Sequence, residues 1–216
     1  MITIISGATG VGKSSLNTYF LHQTYKEEGR ILLKKSAAKI EEINKARLHP
    51  LTPPALPPIY SDFKVKISAG YKKFCEPYYI NGYYMGLANE RLKTQFLPPY
   101  AKVFLSEAQR YYNSRKSGNF PDFVSRFYEM HRHFGLDLYL DVQRVRLIDP
   151  NIRELCRHFI EVQFMEHTRD KLGRIVHTVW HCREFDNWLA FEDYLNTGAA
   201  TYKETTYTYD GNIFDC

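Results

Sequence analysis

The residues with the most specific chemical promise stand at positions 7–14. Gly7-Ala8-Thr9-Gly10-Val11-Gly12-Lys13-Ser14 satisfies G-x-x-x-x-G-K-[ST] at every fixed position. The chemistry is phosphate binding: glycines let the backbone turn tightly so that several N–H groups converge on a β-phosphate, and the helix after the loop adds the positive end of its dipole. Lys13 would then reach the β- and γ-phosphates, and the Ser14 hydroxyl would ligate Mg²⁺. The expected binding set is Gly7, Ala8, Thr9, Gly10, Val11, Gly12, Lys13, Ser14 and Ser15, with ATP and Mg²⁺ as cofactors and Ser14 as the metal residue. A Gly-rich turn that binds nothing is the bland alternative. The flanks argue against it, since an apolar β-branched run, Met1 to Ser6, precedes the motif and helically spaced Leu16, Tyr19, Phe20 and Tyr25 come after it.

Two other strand-like segments end in polar residues that suit such a site. Lys102 to Glu107 is a short apolar run closing on a carboxylate, as a buried parallel strand does where it meets a phosphate site. Glu107 is therefore the candidate general base, orienting and deprotonating a water in line with the γ-phosphate, a role worth ~10²-fold or more; the plain reading is a surface carboxylate at a strand end. Leu136, Leu138, Leu140 and Val142 alternate with Asp137, Tyr139 and Asp141, a strand ending at Gln143, whose amide would sense the γ-phosphate. Just beyond it, Arg144, Arg146 and Arg153 are candidates for a guanidinium reaching a neighbouring subunit's phosphate. Arg144 and Arg153 join Lys13, Glu107 and Gln143 in the catalytic set, and nothing in the spacing chooses among the three arginines. The histidines do not assemble a zinc site: His131 and His133 point apart on a helix, and His177 and His181 on a strand lie ~13 Å apart.

These residues need a scaffold, and the rest of the chain describes one. Ile31 to Leu48 has helical spacing through Leu33, Ala37, Ile40 and Ile43. Pro50 to Pro58 holds five of the ten prolines and reads as an extended connector. Tyr60 to Ile67 suits a strand, Tyr78 to Gly86 a tyrosine-rich strand or turn, and Phe120 to Phe134 a helix capped by Gly135. Asp149 and Pro150 start a short helix running to about Cys156. Phe159 to His167 and Arg174 to Arg183 form a hairpin around Asp170 to Gly173, with Ile160, Val162 and Phe164, then Val176 and Trp180, on its apolar face. The tail from Ala199 has no helical period and is expected to pack back through its tyrosines. The fold class is α/β: a RecA-like P-loop NTPase core with a mostly parallel central sheet and a C-terminal antiparallel hairpin. The chain reads as one domain, residues 1–156 forming the nucleotide-binding core and 157–216 the hairpin and extension.

Composition agrees and excludes alternatives. With 44% hydrophobic and 25% charged residues the chain is not a disordered or fibrous one. Its four cysteines, Cys75, Cys156, Cys182 and Cys216, form no C-x-x-C pair, which fits reduced thiols in the cytoplasm. No apolar run approaches the ~20 residues that span a bilayer, and no basic leader with a cleavage site opens the chain. The net charge of +5 permits contact with nucleic acid or an anionic membrane without requiring it.

Taken together, GATGVGKSS, VFLSEAQRYYNSR and MHRHFGLDLYLDVQRVRLIDPNIREL resemble the zonular occludens toxin (Zot-like) family. That family includes filamentous phage assembly ATPases and belongs with the FtsK/HerA-type DNA-pumping motors. The resemblance implies an ATP hydrolase that powers phage morphogenesis, DNA extrusion or packaging. It would act as a homo-oligomeric, hexameric ring, with phage DNA and membrane or phage assembly proteins as partners, in the cytoplasm at the inner face of the host membrane. Lys13 and Ser14 match its phosphate and Mg²⁺ residues, Glu107 its catalytic glutamate and Gln143 its sensor glutamine. Where members carry Asp-Glu this chain has Ser106-Glu107, which removes a carboxylate that holds the Mg²⁺ hydration shell and is expected to weaken metal binding and slow hydrolysis. Relatives anchored in a membrane have a transmembrane helix after the ATPase domain, and none is legible here. A nucleotide-binding assembly scaffold with weak hydrolysis, motivated by Ser106, and a small-molecule kinase are the competing functions; the arginine-rich lid that a kinase would use does not stand out.

Overall fold

Every residue of the first strand, β1 (Ile2–Ser6), is buried. It lies inside a sheet with a strand on each edge and apolar layers on both faces, which is why Met1 to Ser6 is a continuous apolar run rather than an alternating one. The computed structural model describes residues 1–63, 65, 78–79, 85–86, 95–115, 122–199 and 201–211. The further strands are β2 (Ile59–Ser61), β3 (Tyr78–Tyr79), β4 (Met85–Gly86), β5 (Gln95–Phe96), β6 (Lys102–Leu105), β7 (Asp137–Asp141), β8 (His158–Arg169), β9 (Ile175–Phe185) and β10 (Lys203–Asp210). Among the described residues eight of them form one sheet in the order β10-β9-β8-β1-β7-β6-β2-β3, and β4 pairs with β5 apart from it. From β8 to β3 all neighbours are parallel, whereas β8–β9 and β9–β10 are antiparallel. The α/β architecture expected from the sequence, a mostly parallel sheet with a C-terminal antiparallel hairpin, is the one found. Because β8 pairs with β1 on one edge and β9 on the other, the hairpin and the parallel strands share a single sheet.

The helical segment after β1 is longer than expected. Helix α1 (Lys13–Gln23) passes through a π-helical turn at Thr24–Glu28 into α2 (Gly29–Asn44). The α-helix stops short of Leu48 because the Asn44 side chain closes on the connector, donating to the Leu51 carbonyl at 2.9 Å and accepting from its N–H at 2.7 Å. Residues 50–58 then run without helix or strand, as their prolines require. Helix α3 (Asp122–Met130) ends through a short turn at His131–Phe134, capped by Gly135. Helix α4 (Pro150–Leu155) has the expected Asp149 cap, whose carboxylate accepts from the Asn151 and Ile152 N–H groups at 3.0 and 3.4 Å. Helix α5 (Trp188–Thr197) adds to the elements expected from the sequence; Asn187 caps it by accepting from Ala190 N–H at 2.9 Å.

One face of the sheet (Ile2, Ile4, Val103, Leu105, Leu138, Leu140) packs against Phe127, Ile152 and Phe191 of α3, α4 and α5. The opposite face buries Ile5, Ile160, Val162, Trp180 and Cys182 with Leu16 of α1, and continues into Leu21, Tyr25, Leu32, Ile59 and Phe104. Buried rings such as Phe159 and Phe104 each contribute roughly 1.5–3 kcal/mol relative to exposure. The hairpin departs from simple alternation. A bulge between Val162 and Phe164 reverses the facing of the residues beyond it, so Phe164 is 48% exposed and stacks on His181 while Met165 turns toward α1. Val176, expected on the apolar face, is exposed too. The tail forms the edge strand β10, and Tyr207 and Tyr209 do pack back, against Tyr19 and Phe20. The strand expected from Tyr60 ends at Ser61, short of Asp62, Phe63 and Val65. Cys156 and Cys182 are buried free thiols; Cys75 and Cys216, residues 64, 66 and 67 of the expected strand, 80–84 of the tyrosine-rich stretch and the start of the helix expected from Phe120 lie outside the described residues.

Two buried histidines make stability depend on pH. Burial lowers the pKa of His22 in α1 and of His131 beside β7 below the usual 6.5. The unfolded chain therefore takes up protons that the native chain does not, and these sites lose stability as pH falls from about 6.5 toward their lowered native values. Burial raises the carboxyls of Asp62 and Asp141, which act in the opposite direction at lower pH. Thermal melts of wild type and His22→Gln from pH 7.5 to 5 isolate the histidine: the variant should lose less stability on acidification. Parallel pH dependences would show that His22 does not contribute.

Candidate functional site

The loop from Gly7 to Gly12 joins β1 to α1 across the C-terminal ends of the parallel strands. Two of its glycines are required by space as well as by backbone. At Gly7 (φ 147°) a Cβ would lie 2.5 Å from the Val162 carbonyl oxygen. At Gly12 (φ 95°) it would lie 2.6 Å from Met165 Sδ and 3.1 Å from Trp180 Nε1. The hairpin strands thus press directly on the phosphate loop. Ser15 completes that contact: its hydroxyl donates to the Gly12 carbonyl at 2.8 Å and accepts from Trp180 Nε1 at 3.1 Å. No side chain caps the start of α1, so its first N–H groups face the loop, and Ala8, Thr9, Gly10 and Ser14 are exposed at its surface. Lys13 is 8% exposed and its Nζ donates to the Ala8 carbonyl at 2.7 Å. Burial lowers its pKa, against the opposing charges of Asp141 and Glu107.

The ends of β6 and β7 complete the cleft. Asp62, just past β2, accepts from Ser106 N–H through one oxygen and from the Tyr111 hydroxyl through the other, both at 2.8 Å. The next residue, Glu107, takes the left-handed conformation (φ 46°), uncommon without glycine and often found where strain serves a site. Its N–H donates to Asp141 Oδ1 at 2.8 Å, and its carboxylate, 43% exposed, pairs with Arg110 Nε at 2.9 Å. Asn17 of α1 ties the helix to the same strand end by donating to the Leu105 carbonyl at 3.1 Å.

A cleft of ≈ 280 Å³ is lined by Thr9, Gly10, Gly12, Lys13, Ser14, Ser15, Glu107, Asp141, Gln143 and Met165. The structure therefore brings together Lys13, Ser14, Glu107 and Gln143, residues far apart in the chain. An adjoining cleft of ≈ 400 Å³, on the other side of the loop, is lined by Ser6 to Thr9, Gln143, Arg144, Val145, Arg146, Glu161, Phe191 and Leu195, so Gln143 borders both. Arg144 is exposed there, while Arg146 Nη2 donates to the Asn196 side chain on α5. Arg153 lines neither cleft among the described residues; its guanidinium lies 4.5 Å from the centre of the Trp188 ring. Asp141 is the residue that sequence reasoning passes over. It is 1% exposed, and burial raises its pKa despite the Glu107 N–H, the nearby Ser14 and Ser106 hydroxyls and the charge of Lys13. The signal is an acid just before the strand-end glutamine, read only as the polar side of an alternating strand. Among the described residues no three His, Cys, Asp or Glu side chains cluster as a metal site, and no helix is long and apolar enough to cross a membrane.

The model of the zonular occludens toxin (Zot) family matches residues 87–184, the part of the chain that carries Glu107, Asp141, Gln143 and the hairpin. Over these residues the chain is similar to Zot. Two of the three segments that carry the sequence resemblance lie within this match, and the phosphate loop precedes it. The N-terminal domain of zonular occludens toxin from Neisseria meningitidis is 17% identical, with 99% of this chain and 96% of that one covered at a TM-score of 0.55; at this identity the likeness is one of fold. The genome packaging NTPase B204 from Sulfolobus turreted icosahedral virus 2, in complex with ATP-gammaS, is 15% identical over 94% of this chain and 95% of that one, with a TM-score of 0.45, too low to bear on function. No curated protein matches this chain.

Proposed function

We propose that this chain is an ATP hydrolase whose turnover drives phage morphogenesis by moving DNA, in extrusion or packaging. The observation that carries the reading is the convergence, at the C-terminal ends of three adjacent parallel strands, of a phosphate loop with Lys13 and Ser14, a strand-end glutamate and a strand-end glutamine. Phosphoryl transfer needs little else from a protein than positioning and charge, and this set supplies both. The loop amides and Lys13 grip the phosphates, Glu107 takes a proton from the attacking water, and Gln143, bordering both clefts, reports the γ-phosphate to the neighbouring surface. Mg²⁺ bound with the nucleotide would sit by Ser14 and neutralise the charge developing on the phosphates. Arg144, exposed in the adjoining cleft, is the arginine best placed to meet a second copy in a ring; Arg153 would have to leave Trp188 first. The likeness to Zot supports a motor working at a membrane with phage assembly partners, the whole of residues 1–216 acting as one unit.

Hydrolysis measured with and without single-stranded DNA tests this reading. Stimulation by DNA together with assembly in the presence of ATP is expected; a chain that stays monomeric with ATP and DNA and shows no stimulation refutes it. The second reading, a nucleotide-binding assembly scaffold, is favoured by the pairing of Glu107 with Arg110 and by Ser106. It would show tight binding with negligible turnover.

A further inference from the structure

Resting on the nucleotide-site reading above, we propose that Asp141 is the carboxylate that holds the Mg²⁺ of the bound nucleotide, opposite the Ser14 hydroxyl, in the role that Ser106 cannot fill one strand away. The register makes the exchange natural. Leu105 of β6 pairs with Leu140 of β7, so Ser106 and Asp141 come next at the same level on neighbouring strands. Strand β7 lies between β6 and β1, and Asp141 pairs with Ile5, two residues before the phosphate loop begins. Moving the acid from β6 to β7 shifts it by one strand spacing, ~4.8 Å, toward the loop.

The side chain itself shows the need for a cation. Asp141 is 1% exposed and its Oδ1 accepts from Glu107 N–H at 2.8 Å, but Oδ2 is buried without a hydrogen-bond partner: the Ser14 and Ser106 hydroxyls lie close enough to act on the carboxylate without reaching hydrogen-bond geometry. Buried carboxylate oxygens are normally paired or bound to metal. The cation nearest in chemistry, Lys13, already donates to Ala8, and the Glu107 carboxylate is paired with Arg110. Asp141 and the exposed Ser14 line the same cleft, and a protein site for Mg²⁺ commonly needs just one or two carboxylates, with phosphate oxygens and waters completing the octahedron. These residues fit the ion.

Asparagine at 141 keeps an acceptor for Glu107 N–H and removes the charge, which separates holding the metal from shaping the turn. ADP binding to the full chain is measured by calorimetry in EDTA and in Mg²⁺, and Mn²⁺ bound with ADP is followed by electron paramagnetic resonance. In wild type Mg²⁺ should tighten ADP binding. In Asp141→Asn the binding in EDTA should persist, while the tightening by Mg²⁺ falls ~10-fold or more and the bound Mn²⁺ signal is lost. Adding Ser106→Asp to that variant should restore part of both. Ser106→Asp alone, at a partly exposed position, should leave the tightening unchanged because the site already has its carboxylate. Retention of the full Mg²⁺ effect in Asp141→Asn, a ~10-fold gain in Ser106→Asp alone, or wild-type ADP binding indifferent to Mg²⁺ overturns the assignment. Absence of ADP binding by wild type in either condition would instead bring down the nucleotide-site reading.

Discussion

Replacing Glu107 by glutamine should reduce ATP turnover by ~10²-fold or more while nucleotide still binds. The side chain is aimed by its backbone. Asp62 fixes Ser106 N–H and Asp141 fixes Glu107 N–H, both at 2.8 Å, and between them they hold a left-handed turn that lifts the carboxylate out of the strand and into the cleft. Glutamine preserves shape and hydrogen bonding but cannot accept a proton from water, so the loss should fall on kcat rather than on affinity. The pairing with Arg110 does not prevent the role: pairs this exposed are worth roughly 0–1 kcal/mol, little against what an incoming water and γ-phosphate offer. Single-turnover hydrolysis beside calorimetric binding makes the comparison. Wild-type turnover in Glu107→Gln would remove Glu107 from the chemistry, and turnover near zero in the wild type itself would favour the scaffold.

Legibility in the sequence tracks how local the forces are. The phosphate loop, β1, β6, β7 and the Asp149 cap announce themselves through residues within a few positions of one another. The facing of Phe164 does not, because one bulge inverts the side chains that follow it as far as Thr168 and nothing in the alternating pattern marks where it falls. Helix α5 escapes the sequence reading although Asn187 and the spacing of Trp188, Phe191 and Tyr194 are available as signals. Asp141 illustrates a deeper limit. Its place in the alternation is plain, but its meaning depends on β7 being inserted between β1 and β6, a matter of strand order that no local period encodes. The same insertion changes how the Ser106 departure reads: a missing acid on one strand matters less when the adjacent strand offers another at the same level.

Lys13→Ala should abolish the stabilisation that nucleotide confers while leaving the free protein folded. In the structure the ammonium is largely desolvated and donates to the Ala8 carbonyl, a contact whose loss has little weight against the apolar layers on either side of β1. Toward a triphosphate the balance differs. Hydrogen bonds to charged groups are worth ~1.5–3 kcal/mol, or ~10- to 150-fold in affinity, and here the cation also offsets Asp141 and Glu107, whose charges would otherwise repel the ligand. A ligand at 100 times its Kd stabilises by ~2.7 kcal/mol, so a hundredfold loss of affinity at that concentration removes most of the effect. Melting curves of wild type and Lys13→Ala, each with and without Mg-ATP, give the answer: coincident curves without nucleotide, and a rise in Tm with nucleotide confined to the wild type. An equal rise in the variant would mean that nucleotide is gripped somewhere other than this loop, and the roles drawn for Ser14, Glu107, Asp141 and Gln143 would fall with it.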